Sequence, residues 1–352
     1  MRYTSIGALV ACLVLSLTTP LHPAAADPMA GGRVLRPALS AADADGKFSI
    51  AIYPDTQNEV FAGDNRLVNR SNTVVSLKTL RDYRFVIHTG DITNWGWLDQ
   101  SQFEVAKKGM KPLQNAGLPY SIALGNHDTG AVGWNGIGRE YGGGAYMFNP
   151  ECKERLGSEC QTEKLLRRTT EFNANFTVAQ YRNVWASYEP KKIENVYSIF
   201  EAAGKKWLVL TLELWPRPEV VNWAKTIVSR FPSHNVIVAT HSYLNADGSI
   251  SKGREYGATT PQYLYDNLIS KYKNIKLVFS GHVGTFATRT DTPNGNRVVS
   301  YLQAMHSGKP DAPFRTVEID VKLGRVRTAM VNATTGRNYP NSDPTYTGMK
   351  FV

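Results

Sequence analysis

Tyr120-Ser121-Ile122-Ala123-Leu124-Gly125-Asn126-His127-Asp128 is the stretch on which the reading of this 352-residue chain turns. Its first five residues are apolar or small and read as a strand, and the four that follow are a glycine and three polar residues. A strand that runs straight into such a cluster presents polar groups at its carboxyl end. In open α/β sheets, ligands bind there.

The same junction recurs along the chain. Phe48–Tyr53 reads as a strand that leads into Pro54-Asp55-Thr56-Gln57, and Phe85–His88 leads into Thr89-Gly90-Asp91. Further on, Asn235–Thr240 leads into His241, and Ile275–Ser280 into Gly281-His282. Helical spacing of apolar residues separates them at Arg66–Leu80, Gln102–Gln114, Pro218–Phe231 and Pro261–Tyr272. This alternation predicts an α/β domain. Val196–Ala202 and Lys206–Leu214 read as a hairpin around Ala203-Gly204. Arg297–Leu302, Arg315–Val321 and Val326–Val331 alternate like antiparallel strands and are expected to form a second sheet packed on the first.

The ends of the chain differ from its middle. Arg2 is the only charge before Asp27, Ile6–Leu17 is almost wholly apolar, and Ala24-Ala25-Ala26 offers small residues for cleavage. Residues 1–26 are therefore expected to be a secretory signal, which would place the mature protein in the periplasm or outside the cell. The apolar core of this segment falls short of the roughly 20 residues that a spanning helix needs, so no transmembrane segment is expected in the mature chain. Residues 27–46 read as a polar leader, 47–335 as one domain and 336–352 as a C-terminal tail. Within the domain, residues 129–195 break the alternation and carry Trp134, Tyr141, Tyr146, Phe148, Tyr181 and Trp185. This insert is either a lid over a site or a packed peripheral subdomain.

Composition narrows the options further. A 42% hydrophobic chain is globular rather than disordered, and its formal net charge of +10 favours anionic partners, phosphorylated ones included. No run of lysine and arginine is dense enough to indicate nucleic acid. Neither a Gly-x-Ser-x-Gly elbow nor a P-loop is present. Loss of Cys12 with the signal leaves Cys152 and Cys160, a candidate local disulfide in an oxidising compartment and too few cysteines for a zinc site.

Asp55, Asp91, Asn126, His241 and His282 all stand at strand ends and offer oxygen or nitrogen donors suited to a borderline divalent ion. His88, inside its strand, reads as a satisfied buried histidine, and the sequence assigns no role to Glu213, His234 or His306.

The series Asp55-Thr56-Gln57, Gly90-Asp91, Gly125-Asn126-His127-Asp128, His241 and Gly281-His282-Val283-Gly284 resembles that of the calcineurin-like metallophosphoesterases. The family's order is an Asp-x-His, a Gly-Asp, a Gly-Asn-His followed by Asp or Glu, a lone His and a Gly-His-x-His. Gln57 and Gly284 stand where the family has histidines. The resemblance covers Phe48–Gly284 and implies two packed mixed β-sheets flanked by helices, an α/β/β/α sandwich.

It also implies a pair of divalent metals bridged by Asp91, with Asn126, His241 and His282 completing one site and Asp55 with Gln57 serving the other. The implied reaction is hydrolysis of a phosphate monoester or diester by a metal-bound hydroxide, on a phosphorylated small molecule or polymer. An amide and a bare glycine in place of two imidazoles harden the second ligand set, so one ion is expected to be firm and one weak. The weak site should prefer magnesium, manganese or calcium to iron or zinc. His127 is expected to serve the leaving group, and Asp128 either orients it or fills a turn or cap role. Two competing readings are a metal- or phosphate-binding protein that kept the fold without turnover, and an envelope-associated module whose aromatic insert binds around a structural metal.

Overall fold

Both faces of the strand Lys47–Tyr53 are apolar. Phe48, Ile50 and Ile52 enter one core, and Ala51 and Tyr53 enter another. A strand buried on both sides requires a covering layer on each. The computed structural model describes residue 43 and residues 45–352 apart from 135–142, 182–183, 258, 285, 304–308, 341 and 343. The expected signal, almost all of the polar leader, Tyr141 and His306 lie outside the described residues.

The strands are β1 (Lys47–Tyr53), β2 (Tyr83–His88), β3 (Tyr120–Ile122), β4 (Val132–Trp134), β5 (Gly143–Ala145), β6 (Val184–Ser187), β7 (Val196–Ala202) and β8 (Lys205–Thr211). They continue with β9 (His234–Ala239), β10 (Ile275–Ser280), β11 (Ala287–Asp291), β12 (Val298–Leu302), β13 (Phe314–Asp320), β14 (Arg325–Val331) and β15 (Thr345–Tyr346). One sheet runs β15-β14-β13-β1-β2-β3 and the other β11-β12-β10-β9-β8-β7-β6, with β4 and β5 forming a separate hairpin. Both are mixed, since β1, β2 and β3 are parallel, as are β8, β9, β10 and β12, while their flanks are antiparallel.

The sheets face each other through Phe48, Ile52, Phe85 and Ile87 on one side and Trp207, Ile237, Leu277 and Phe279 on the other. Each such fully buried side chain contributes about 1.5–3 kcal/mol of transfer free energy. The outer face of the first sheet is covered by α1 (Arg66–Ser76) and α2 (Gln100–Asn115). Phe103, Ala106, Met110 and Leu113 form the buried stripe of α2, and Asp99 caps it by accepting from the Ser101 amide at 3.1 Å. On the second sheet, α3 (Pro218–Arg230) and the turn of α4 (Pro261–Leu264) cover Leu208, Val236, Val238 and Val278. The result is an α/β/β/α sandwich.

The tail differs from the sequence expectation in one respect. Its strands build no sheet of their own: β12 joins the second sheet parallel to β10, while β13 and β14 extend the first beside β1. Alternation reports that a strand has two unlike faces but not which neighbour it takes. Residues 336–352 are stitched to the domain, since β15 pairs with β14, and Asn235 exchanges hydrogen bonds with the Val352 amide and carbonyl at 2.8 and 3.2 Å. No helix among the described residues is long and apolar enough to cross a membrane.

Candidate metal centre

Asp55 follows β1, Asp91 follows β2, Asn126 β3, His241 β9 and His282 β10, and their side chains meet where the strand ends of the two sheets converge. Two glycines permit the approach. A Cβ at Gly281 would stand 1.9 Å from Asp55 Oδ1, and one at Gly125 would stand 2.1 Å from Asp91 Oδ1. Asp91 and His282 hold left-handed backbones, with φ of 53° and 73°. That conformation costs a non-glycine residue about 1–3 kcal/mol and is found where function demands a particular side-chain direction.

The donor set explains what the site is built to hold. His241 is fully buried, and its Nδ1 lies 2.8 Å from the Thr89 carbonyl, which can only accept. Nδ1 therefore carries the hydrogen, and in the neutral ring Nε2 presents a lone pair. That Nε2 stands 3.2 Å from Asp91 Oδ2, 3.2 Å from Asn126 Oδ1 and 3.3 Å from His282 Nδ1. Asn126 Oδ1 is in turn 3.1 Å from the same His282 nitrogen.

So many electron-rich atoms in one buried place require positive charge. Burial works against a proton on His241, but the Asp91 and Asp55 carboxylates push its pKa up to about 9. Burial alone would raise Asp91 too, yet His241 and His127 hold it below the ordinary carboxylate range. A divalent cation answers the need better. Donor atoms of Asp91, His241 and His282 lie within 4.8 Å of one another. The spacing of about 3 Å between neighbouring donors suits ligands that each stand about 2.1 Å from one ion.

The Asp55 side is thinner. Its buried carboxylate accepts from Thr89 Oγ1 at 3.1 Å and from the His282 amide at 2.8 Å, and burial pushes it up to about 7. Gln57 is buried at the start of a 3-10 turn, Gln57–Glu59. That turn is pinned by Glu59, whose ion pair with Arg70 at 2.6 Å has no exposure on either side. Gly284 is exposed and contributes no side chain.

His127 belongs to the same wall. Its amide donates to Asp91 Oδ1 at 3.0 Å, and its Nδ1 lies 2.9 Å from the Asn94 carbonyl and 2.8 Å from Asn94 Oδ1. Asp128 does not orient it. The Asp128 carboxylate instead accepts from the amide and hydroxyl of Thr93 at 2.8 and 3.1 Å and from the Gly125 amide at 3.0 Å. Of the two roles open to Asp128 in the sequence, the turn role matches these contacts, because its carboxylate closes the Asn126–Asp128 turn onto the Gly125 amide.

Sequence reasoning missed Asn94 and Tyr256. Asn94 lies three residues past Asp91, close enough to have been suspected. Tyr256 sits in a loop between β9 and α4 with no flanking pattern, and its hydroxyl accepts from Asn126 Nδ2 at 3.3 Å. His88 is a satisfied buried histidine: it accepts from the Gly90 amide at 3.2 Å, so its other nitrogen donates to Thr56 Oγ1 at 3.0 Å, and burial lowers it to about 3. Glu213 organises the insert's base, receiving Asn195 at 2.9 Å, Arg217 at 2.9 Å and Arg167 at 3.2 Å.

Between the two readings of the insert, packing favours the peripheral subdomain. Tyr146, Phe172, Phe176 and Tyr181 are buried in the hydrophobic cores, whereas Phe148 is 77% exposed. Among the insert's aromatics named above whose burial is described, Phe148 is exposed and Trp185 half-buried. Cys152 and Cys160 are joined in a disulfide within this segment.

Comparison with known proteins bears on the whole arrangement. A family model described as calcineurin-like phosphoesterase matches residues 49–286. The uncharacterized protein YvnB of Bacillus subtilis (strain 168) is 24% identical over 234 residues, which is 65% of this chain and 15% of that protein. This chain thus spans only a small part of the curated relative. The fold is similar to that of purple acid phosphatase PPD1 from yellow lupin (Lupinus luteus), with a TM-score of 0.51, 17% identity, and coverage of 86% of this chain and 54% of that one. It is also similar to a dimetal phosphatase from Danio rerio, with a TM-score of 0.50, 11% identity and coverage of 85% and 98%. At these identities the structural likeness speaks to fold.

Proposed function

The chain belongs to the calcineurin-like phosphoesterase family, matched over residues 49–286, and from that premise we propose that it hydrolyses a phosphate monoester or diester with the help of bound divalent metal. The observation that carries the proposal is the convergence of Asp91, Asn126, His241 and His282 on one buried point. These four residues would hold the firm ion, and Asp55, Asp91 and the Gln57 amide a weaker one. Metal held there supplies positive charge that offsets the charge of the phosphate and acidifies water.

The protein's own groups do the rest. With Nδ1 committed to Asn94, His127 offers Nε2 to the leaving oxygen, and the protonated ring can hand over a proton as that oxygen departs. Asp91 couples the two functions, because one carboxylate oxygen faces His241 and the other accepts from the His127 amide. The composition of residues 1–26 and the Cys152–Cys160 pair support an exported protein acting on phosphorylated compounds outside the cytoplasm.

The test is turnover of an aryl phosphate and a bis-aryl phosphate by the manganese-loaded protein, with and without chelator. Hydrolysis of either that stops on chelation and returns on adding metal is expected. Tight binding of phosphate with no turnover of any ester would instead favour the non-catalytic reading, which the Gln57 and Gly284 positions motivate.

A further inference from the structure

Tyr256 lies outside every motif discussed so far, and its surroundings are specific. Asn126 is polarised across its amide: Oδ1 points to His241 and His282, and Nδ2 points to the Tyr256 hydroxyl at 3.3 Å. The phenol oxygen therefore accepts from Asn126, and among the described residues its own hydrogen has no acceptor. A half-buried hydroxyl in that state is an unspent donor beside the centre.

The ring is held in place. It stands edge-on to His282 at 5.9 Å between centroids and against Trp215 at 5.2 Å. Trp215 is buried, and its carbonyl accepts from Arg167 Nη2 at 2.9 Å. The root of the loop is tied by a bridge between Leu244 and Ile250, by the Ser251 amide donating to the Tyr243 carbonyl at 2.9 Å, and by the Gln262 amide donating to the Ser251 carbonyl at 3.0 Å. A hydroxyl fixed this well loses little freedom when it meets a ligand.

Its position also complements His127. His127 is held by Asn94 in the loop after β2 of the first sheet, whereas Tyr256 comes from the loop after β9 of the second. Both bear on the segment Asn126-His127, so a phosphoryl group seated at the centre has one side-chain donor from each sheet.

We infer that Tyr256 is a substrate-contacting residue whose phenolic hydrogen is donated to a nonbridging oxygen of the phosphoryl group. A phenol keeps its hydrogen at neutral pH and can donate it. This inference rests on the phosphoesterase reading of the same site.

The experiment measures inorganic phosphate binding to manganese-loaded protein by calorimetry, for the unaltered chain and for Tyr256→Phe, alongside manganese affinity and kcat/KM on an aryl phosphate. Tyr256→Phe keeps the ring and removes only the hydroxyl. At saturating manganese, phosphate affinity and kcat/KM should both fall about tenfold, the worth of one hydrogen bond, beyond whatever the loss of the Asn126 acceptor takes from manganese affinity. Unchanged phosphate affinity in Tyr256→Phe overturns the inference. So does a loss that manganese affinity fully accounts for, since the hydroxyl would then serve only to hold Asn126. If the unaltered chain binds phosphate but turns over no ester, the phosphoesterase reading falls while the phosphate comparison still decides the role of Tyr256.

Discussion

Around His241 three of the four donors have a support of their own: Thr89 fixes the imidazole, the Tyr256 hydroxyl receives the Asn126 amide, and the His127 amide steadies Asp91. Around Asp55, Thr89 and the His282 amide occupy the carboxylate, Gln57 offers a neutral amide and Gly284 offers nothing. The two halves share Asp91 and the same strand-end geometry, so what separates them is the number and type of donors rather than architecture. If both halves hold ions as proposed, the fold would keep the frame of a two-ion centre while concentrating affinity in one half of it.

The largest expected effect comes from breaking the complete half. His241→Ala removes a central donor and leaves Asp91 and Asn126 facing an uncompensated gap. Metal affinity should drop by more than about 100-fold, beyond the range seen when only an outer partner of a ligand is removed. Turnover should fall to background. Elemental analysis of dialysed protein, together with kinetics, reads both. Retention of metal and turnover would mean that the working centre lies elsewhere.

Asn94→Ala separates positioning from metal holding. Asn94 touches His127 Nδ1 through both its carbonyl and its side chain, and the substitution removes only the second contact. A drop in kcat of about tenfold to 100-fold is expected from a looser ring, with metal content intact. Equal losses of metal and kcat would show that Asn94 supports the centre itself rather than the histidine.

Gln57→His sharpens the comparison from the other side. Gln57 is buried two residues after Asp55, and an imidazole there would add a softer donor to the thin half if it faces the ion. Second-ion affinity for zinc should rise on the order of tenfold. Calorimetric titration of metal-free protein would show this as a second binding step that tightens while the first stays put. A single unchanged step would mean that Gln57 does not face the ion.

What could be read from sequence follows the same division. The parallel strands and their polar ends were legible because burial on both faces leaves continuous apolar runs that stop abruptly at Asp55, Asp91, Asn126, His241 and His282. Partner choice in the tail was not, because Phe314–Asp320 and Val298–Leu302 alternate alike but join different sheets. Gly125 and Gly281 were visible as motif letters, but their reason, the 2.1 and 1.9 Å that a Cβ would leave to a carboxylate oxygen, exists only in three dimensions. Asp128 was half legible: its place beside His127 suggested a partnership, and the turn sends its carboxylate to Thr93 and Gly125 instead. Tyr256 was invisible, since an irregular loop carries no period to betray which of its side chains returns to the site.

The smallest effect concerns the insert. Cys152–Cys160 closes a short loop beside Tyr146 and Leu156, and among the described residues none of its contacts reaches Asp91, His241 or His282. Replacing both cysteines with serine should lower stability by about 2 kcal/mol or less, because short loops gain little from closure and the rest of the segment is anchored through Glu213 and Arg167. Thermal unfolding would read the loss, and metal affinity should not move. If metal affinity fell in parallel with stability, the insert would be coupled to the centre through the Trp215–Tyr256 contact, and the comparison would have to include it as a third part of the site.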